Sequence, residues 1–360
     1  MLDIHAIDGE PGTQPVDLHV SGQGSKRSDS RRVKPHMSKG AGAVVVAVHE
    51  LHFDRPLETL QHLQVVSFHE DDVIDVEQDD SPGGHAVTMR GIRRISPGMD
   101  IIDKRIGLIS DVHATVPIIT RAIRQLAARG VKQMHSLGDF AIPWNGHPEE
   151  ELQLKAVRLE LEKHDATLLI TGGNHEGYDE WEKVPVSEDG IRWIRHNIGL
   201  LPRGWRALSP AGNIIASLGG ANSIDRYSRR PHRAWWPQES ITPADLAALG
   251  HERVDILLGH DVPQSTALLN FLKPNERLWS AAGLAYAHEG HAMFHRGVQQ
   301  VTPRMTIGGH YHLHLDSTER FTDVEGRTFE TRVIVMDADG RHTTVAVLDT
   351  DALDIIYPEF

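Results

Sequence analysis

Five short apolar segments of the chain are each followed by side chains that can bind metal ions. The segments are residues 106–110, 133–137, 166–170, 254–258 and 304–307. The polar side chains that follow them are those of Asp111, His113, Asp139, Asn174, His175, His260, His310 and His312. Carboxylate, imidazole and amide donors without sulfur suit hard or borderline divalent cations. The pattern therefore predicts a metal site.

The apolar segments have the length and composition of buried strands. Ligands of open α/β sheets bind beyond the carboxyl ends of the strands, so five such ends can converge on one site. Side chains two apart on an extended chain point the same way, which pairs His310 with His312.

Each motif alone has an ordinary structural explanation. Asp111 and His113 could cap the next helix, Asp139 could belong to a turn, and Asn174 could be a capping amide of a loop. A lone histidine such as His260 is more often a hydrogen-bonded core residue than a ligand. The conjunction of all five motifs in one domain is what favours the metal site.

The elements that must position these residues are predicted from residue 101 onward. After the first strand, Thr115 can cap a helix that has Pro117 in its first turn and ends before Gly130. With the strand at 133–137 this makes a right-handed parallel βαβ unit, and a second helix spans 149–164.

Later segments have a different pattern. We expect a short helix at 189–197, a hairpin from 205–208 and 213–218, and further helices from Thr242 and at 276–296. The Asp339-Gly340 dipeptide, between strands at 331–337 and 342–348, predicts another hairpin. Parallel units followed by antiparallel strands predict an α/β fold, a four-layer αββα sandwich in which helices flank two mixed β-sheets.

Residues 1–100 differ from the rest. A stretch rich in serine, glycine and basic residues (22–40) and an acidic run (70–80) combine blocky charge with low hydrophobicity. This predicts a largely disordered, poorly ordered N-terminal extension. The predicted domain spans 101–350, and 351–360 is predicted to be a C-terminal tail.

Composition limits the function further. The chain has 360 residues, a formal net charge of −13 and no cysteine. Disulfides, thiolate zinc sites and a cysteine nucleophile are thereby excluded, and binding of long nucleic acid is disfavoured. No signal peptide or membrane-spanning segment is evident, so we expect a cytoplasmic protein without a membrane partner.

The order of the motifs resembles the calcineurin-like metallophosphoesterase family, whose signature is DxH, GD, GNH[DE], a lone H and GHxH. Every element occurs here, within about residues 105–316. The resemblance implies two divalent cations bridged by Asp139. One would also be bound by Asp111, His113 and His312, the other by Asn174, His260 and His310. Manganese is the expected metal, with iron, zinc, nickel and magnesium as alternatives.

The resemblance also implies an enzyme, a dinuclear metal-dependent phosphoesterase. A water or hydroxide that bridges the metals would attack a phosphomonoester or phosphodiester in line. His175 is the candidate general acid, although it could instead hydrogen-bond a loop carbonyl, and Glu176 is expected to orient the site. The expected substrate is a phosphorylated small molecule or a nucleotide. The alternative is a non-catalytic scaffold of the same fold that binds a protein partner.

Two further groups of residues have a functional and a structural interpretation. The segment 225–237 places Arg229 and Arg230 near two tryptophans, which suits substrate binding, or else packing of the tryptophans onto the domain. His288, His291 and His295 would share one helix face and are interpreted as a surface stripe.

Overall fold

The computed structural model describes residues 100–358 and, N-terminal to them, only the backbone of five strands. These are β1 (Asp3–Ile4), β2 (Val20–Ser21), β3 (Arg31–Val33), β4 (Asp72–Gln78) and β5 (Val87–Arg94). β1 pairs with β2, and β3, β4 and β5 form an antiparallel sheet. The rest of the predicted disordered extension lies outside the described residues, so that prediction stays a prediction.

The chain divides into two units, residues 1–99 and 100–360, and the second contains every predicted ligand. Its strands are β6 (Asp100–Ile101), β7 (Arg105–Ile109), β8 (Gln133–Ser136), β9 (Thr167–Ile170), β10 (Arg192–Arg195), β11 (Ile198–Leu200), β12 (Arg206–Leu208), β13 (Ile214–Leu218), β14 (Ile256–Gly259), β15 (Met305–Gly308), β16 (Leu315–Thr322), β17 (Thr328–Val335), β18 (Val345–Asp349) and β19 (Asp354–Ile356). Its α-helices are α1 (Val116–Ala127), α2 (Pro148–Lys163), α3 (Tyr178–Glu182), α4 (Pro243–Leu249), α5 (Thr266–Leu272) and α6 (Ala281–Val301). Three 3-10 helices span Arg226–Ser228, Pro237–Glu239 and Lys273–Leu278.

The strands form two seven-stranded mixed sheets. The first has the order β10-β11-β9-β8-β7-β18-β19, in which β7, β8, β9 and β11 are parallel. The second has the order β16-β17-β15-β14-β13-β12-β6, in which β13, β14, β15 and β17 are parallel.

Successive side chains of a strand point to opposite faces of its sheet, and this places them in different layers of the sandwich. Ile106 and Leu108 of β7 pack with Ile256 and Leu258 of β14 in a core shared by the two sheets, whereas Ile109 joins the core with α1 and α2. Helices α4 and α6 pack on the second sheet. The predicted αββα sandwich is confirmed. Among the described residues, no helix is both long and apolar enough to cross a lipid bilayer.

The helices predicted after Thr115, at 149–164 and after Thr242 are confirmed, as is the hairpin that forms β12 and β13. Helix α6 covers most of the predicted segment 276–296. The predicted helix at 189–197 is wrong, because these residues contain β10, which pairs with β11.

The hairpin predicted around Asp339-Gly340 is also wrong. β17 and β18 belong to different sheets, so this dipeptide lies in a crossover between the sheets. β19 lies within 351–360, the segment predicted as a tail, and pairs with β18. The domain boundaries stay predictions.

Candidate metal centre

The predicted ligands lie directly after the carboxyl ends of five strands, three in the first sheet and two in the second. They follow β7 (Asp111, His113), β8 (Asp139), β9 (Asn174), β14 (His260) and β15 (His310, His312). The two sheets face each other, so these ends meet at one edge of the sandwich.

Four of these residues form a first cluster. Asp111, His113, Asp139 and His312 each offer one donor atom, and these atoms lie within 4.8 Å of one another. His113 Nε2 is 3.3 Å from Asp139 Oδ2, and His312 Nε2 is 3.6 Å from Asp111 Oδ1. This is the set that the family resemblance implies for the first cation.

Of the other three predicted ligands, His260 lies beside the second oxygen of the same carboxylate, and Asn174 and His310 lie beside His260. His260 Nε2 is 3.2 Å from Asp139 Oδ1 and 2.9 Å from Asn174 Oδ1. The ring of His310 is 5.0 Å from the ring of His260, centroid to centroid. The two oxygens of Asp139 therefore face the two predicted sets.

Hydrogen bonds fix which imidazole nitrogen faces the centre. His260 Nδ1 donates to the carbonyl oxygen of Leu137 at 2.8 Å, and its Nε2 faces Asp139. His113 Nδ1 lies 3.1 Å from Asp339 Oδ1, so its Nε2 faces Asp139. Sequence reasoning missed Asp339, because its Asp-Gly pair was interpreted only as a turn.

Asn174 is oriented by a buried chain of hydrogen bonds that sequence reasoning also missed. Asn174 Nδ2 donates to Ser223 Oγ at 3.0 Å, and Ser223 Oγ donates to Glu239 Oε2 at 2.7 Å. The backbone N–H of Ser223 and the hydroxyl of Tyr286 donate to Glu239 Oε1. With its NH₂ group engaged in this way, Asn174 turns its oxygen toward His260 and Asp139.

Glu176 positions the loops rather than lying in either ligand set, in agreement with the role predicted for it. Its carboxylate accepts the backbone N–H groups of Phe140 and Ala141, each at 3.0 Å, and that of Gly173 at 3.3 Å. Burial raises the pKa of Glu176 to about 7. The side chain ties the loop after Asp139 to the loop before Asn174.

The ligand backbones are strained. Positive φ angles occur at five predicted ligands, namely Asp111 (42°), His113 (43°), Asp139 (52°), His310 (69°) and His312 (50°). Such conformations cost non-glycine residues about 1–3 kcal/mol each and cluster at functional sites. Packing is correspondingly close, since a Cβ at Gly309 would overlap the Asp111 carboxylate and one at Gly173 would overlap Asp139.

The electrostatics of the site fit bound cations. Burial raises the pKa of Asp111 to about 7, whereas the charges of His260 and His175 outweigh burial and hold the pKa of Asp139 well below its usual range. Burial opposes protonation of His113 and His260, but Asp139 raises their pKa values to about 9 and about 10. Two buried carboxylates thus hold protons on neighbouring imidazoles, and cation binding would displace such protons.

His175 lies beside the ligands without belonging to either set. Its backbone N–H donates to Asp139 Oδ1 at 2.8 Å, and its Nε2 lies 2.9 Å from Arg229 Nη2. Burial lowers the pKa of His175, and the charge of Arg229 lowers it further. Arg229 is itself held by Asp225, whose Oδ1 is 2.8 Å from Arg229 Nε.

Segment 225–237 was predicted either to bind substrate or to pack its tryptophans onto the domain, and each interpretation fits part of the segment. Arg229 reaches the site, whereas the side chain of Arg230 is exposed. Trp236 is buried, and the guanidinium of Arg226 lies 4.5 Å from the ring centroid of Trp235. The tryptophans therefore pack on the domain, and Arg229 is the residue of this segment that is brought against a predicted catalytic residue.

The histidine stripe on α6 is not a surface feature throughout. His288 is exposed, but His291 is buried and its ring lies 5.8 Å from that of Tyr311. His295 Nδ1 accepts the backbone N–H of Gln264 at 3.2 Å. The predicted surface position is wrong for His291, because this face of α6 packs on the second sheet.

Fold and site together define an αββα protein with a candidate metal-binding group. The sequence model of the calcineurin-like phosphoesterases matches residues 104–314, more than half of the chain. The chain belongs to this family, as the order of its motifs predicts. No curated protein sequence matches the chain significantly.

Solved structures with a similar fold include a protein of Thermus thermophilus (12% identity, TM-score 0.39), for which 71% of this chain and 98% of the other are covered. A dimetal phosphatase from Danio rerio has 16% identity and a TM-score of 0.34, with 68% and 91% covered. An archaeal phosphodiesterase has 14% identity and a TM-score of 0.32, with 71% and 99% covered.

Proposed function

We propose that the protein is a phosphoesterase that uses two divalent cations to hydrolyse a phosphomonoester or phosphodiester bond. The observation that supports the proposal is the cluster of Asp111, His113, Asp139 and His312. His260 lies 3.2 Å from the other oxygen of Asp139, with Asn174 and His310 beside it. The substrate is a phosphorylated small molecule or a nucleotide. The net charge of −13 disfavours long nucleic acid. The cytoplasmic location expected from the sequence is part of the same proposal.

The ligands divide between two cations that share Asp139. Asp111, His113 and His312 hold one, and Asn174, His260 and His310 hold the other. Manganese is our first choice, with iron, zinc, nickel and magnesium as alternatives. Cations bound there would supply an activated water, orient the phosphoryl group and neutralise charge on its oxygens.

The remaining residues act on the substrate directly. His175 donates a proton to the leaving oxygen, since it lies beside both ligand sets without being needed in either. Arg229 binds a phosphoryl oxygen through Nη2, the atom that points at His175 in the structure. Water is the nucleophile in this proposal.

Hydrolysis of p-nitrophenyl phosphate and bis(p-nitrophenyl) phosphate by the full-length protein tests the proposal. We expect turnover with added Mn²⁺ and its loss with EDTA. A protein that binds the metal but hydrolyses none of a panel of phosphorylated compounds would support the non-catalytic scaffold instead.

Replacement of Ser223 by Ala tests how Asn174 is oriented. The variant removes the acceptor for Asn174 Nδ2, so the amide can rotate away from the centre. We expect the affinity for the second Mn²⁺ to fall about 10- to 100-fold while the first is retained, as is typical when an outer hydrogen-bond partner is lost. Calorimetric titration of Mn²⁺ measures this.

The matched control is Ser209→Ala. Ser209 is also buried and accepts one backbone hydrogen bond, from Asn213 at 3.1 Å, but it lies in the β12–β13 hairpin at the other end of β13 from the site. If both variants bind Mn²⁺ as the wild type does, Ser223 has no role in positioning Asn174.

Replacement of Arg229 by Ala tests the phosphate contact. A lost charge-assisted hydrogen bond is worth about 1.5–3 kcal/mol, so KM should rise about tenfold or more. Arg230→Ala is the control, since that side chain is exposed. If the steady-state kinetics of both variants equal those of the wild type, Arg229 does not bind phosphate and only packs within its segment.

A further inference from the structure

A cavity of about 270 Å³ opens directly beside the metal centre. Two of its lining residues are His113, a predicted ligand, and His175, which lies beside the predicted ligands. The others are Ala114, Ala141, Trp144, Glu150 and Gln153. Its volume is close to the lower end of the range for small-molecule sites and suits one ring system rather than a large ligand.

The aromatic wall of the cavity is fixed in place. The indole of Trp144 lies nearly parallel to the imidazole of His175, at 23° and 5.9 Å between centroids. The indole is also nearly perpendicular to the buried ring of Trp236, at 84° and 4.7 Å between centroids. Glu150 accepts the backbone N–H groups of Trp144, Asn145 and Gly146, which holds this loop on the first turn of α2.

The polar groups of the cavity do not favour a second phosphate. No Lys or Arg is among its lining residues, and the Glu150 carboxylate is already engaged by three N–H groups. The amide of Gln153 makes no hydrogen bond with the part of the chain that the structure describes. A planar, uncharged group with an apolar face and a polar edge complements these walls.

We propose that this cavity is the leaving-group subsite and that it selects esters of planar aromatic or heteroaromatic alcohols, with the Trp144 indole as the stacking surface. This inference rests on the proposed function. A phosphoryl group at the centre beside His113, with its ester oxygen toward His175, directs the leaving group into the cavity. Trp144 is then a specificity-determining residue of the reaction.

Benzyl phosphate and cyclohexylmethyl phosphate are suitable probes, because both are esters of primary alcohols and differ mainly in the planarity of the ring. An aromatic stack changes kcat/KM about three- to tenfold. The wild type should prefer the benzyl ester by that factor, Trp144→Leu should remove the preference, and Trp144→Phe should retain most of it. Methyl diesters of the same alcohols replace the monoesters if only diesters are hydrolysed.

Calorimetric binding of benzylphosphonate and cyclohexylmethylphosphonate to the Mn²⁺-loaded protein separates the subsite from turnover. Selective binding that Trp144→Leu removes, in a protein without turnover, supports the subsite and overturns the hydrolase. Turnover with equal kcat/KM for both esters, reduced equally by Trp144→Leu, overturns the subsite and leaves the hydrolase standing. The Phe variant excludes misfolding as the cause of a loss in the Leu variant.

Discussion

Replacement of Asp139 by Asn is expected to lower kcat by roughly 10³-fold or more, because the variant loses the one anion that faces both ligand sets. The two oxygens of Asp139 lie 3.3 Å from His113 Nε2 and 3.2 Å from His260 Nε2. An amide of the same shape keeps the packing but cannot offset the charge of two adjacent cations. Metal content after dialysis against Mn²⁺ should fall together with kcat.

Asp165→Asn is the control for this prediction. Asp165 also has a positive φ, 51°, but is exposed and pairs with Lys132. The Asp165→Asn variant should bind Mn²⁺ and turn over substrate as the wild type does. If the Asp139→Asn variant keeps both cations and full activity, Asp139 does not bridge the two cations.

Replacement of His175 by Ala is expected to leave both cations bound and to reduce kcat by about 10²- to 10⁴-fold for alkyl esters, whose leaving groups need a proton. The loss should be much smaller for p-nitrophenyl esters, because nitrophenolate leaves without protonation. The dependence of the defect on the leaving group identifies proton donation by His175. Kinetics with matched alkyl and nitrophenyl esters, together with Mn²⁺ titration, measure it.

His251→Ala, at an exposed histidine, controls for loss of an imidazole elsewhere. An equal defect of His175→Ala on both kinds of ester would mean that His175 only hydrogen-bonds its loop, the alternative considered from the sequence. Loss of metal would mean that it supports a neighbouring ligand such as Asn174.

The candidate ligands could be predicted from the sequence because each one lies within four residues of the end of a short buried strand. A strand end is a local feature, and the order of five such ends with matching donors is specific. Asp111, Asp139 and His260 were found in this way, and the fold class followed from the same strands and the intervening helices.

The groups that orient the ligands could not be predicted in this way. Ser223 and Asp339 lie in connections between elements, and the residues they contact, Asn174 and His113, are distant in sequence. Glu239, which accepts from Ser223, ends a three-residue 3-10 helix. Their types are common in loops, so no local pattern marks them.

The two wrong secondary-structure predictions have a related cause. An Asp-Gly pair indicates a turn but not which strands it joins, and at Asp339-Gly340 the chain passes from one sheet to the other. Residues 189–197 contain a four-residue strand whose stability comes from pairing with β11. Tertiary contacts decide both cases.

The most direct test of the account is anomalous diffraction from crystals of the full-length protein grown with Mn²⁺. We expect two manganese peaks about 3.5–4 Å apart, one on each side of the Asp139 carboxylate. His113 and His312 should contact one ion, and His260 and His310 the other. A single ion, or ions bound away from Asp139, would contradict it.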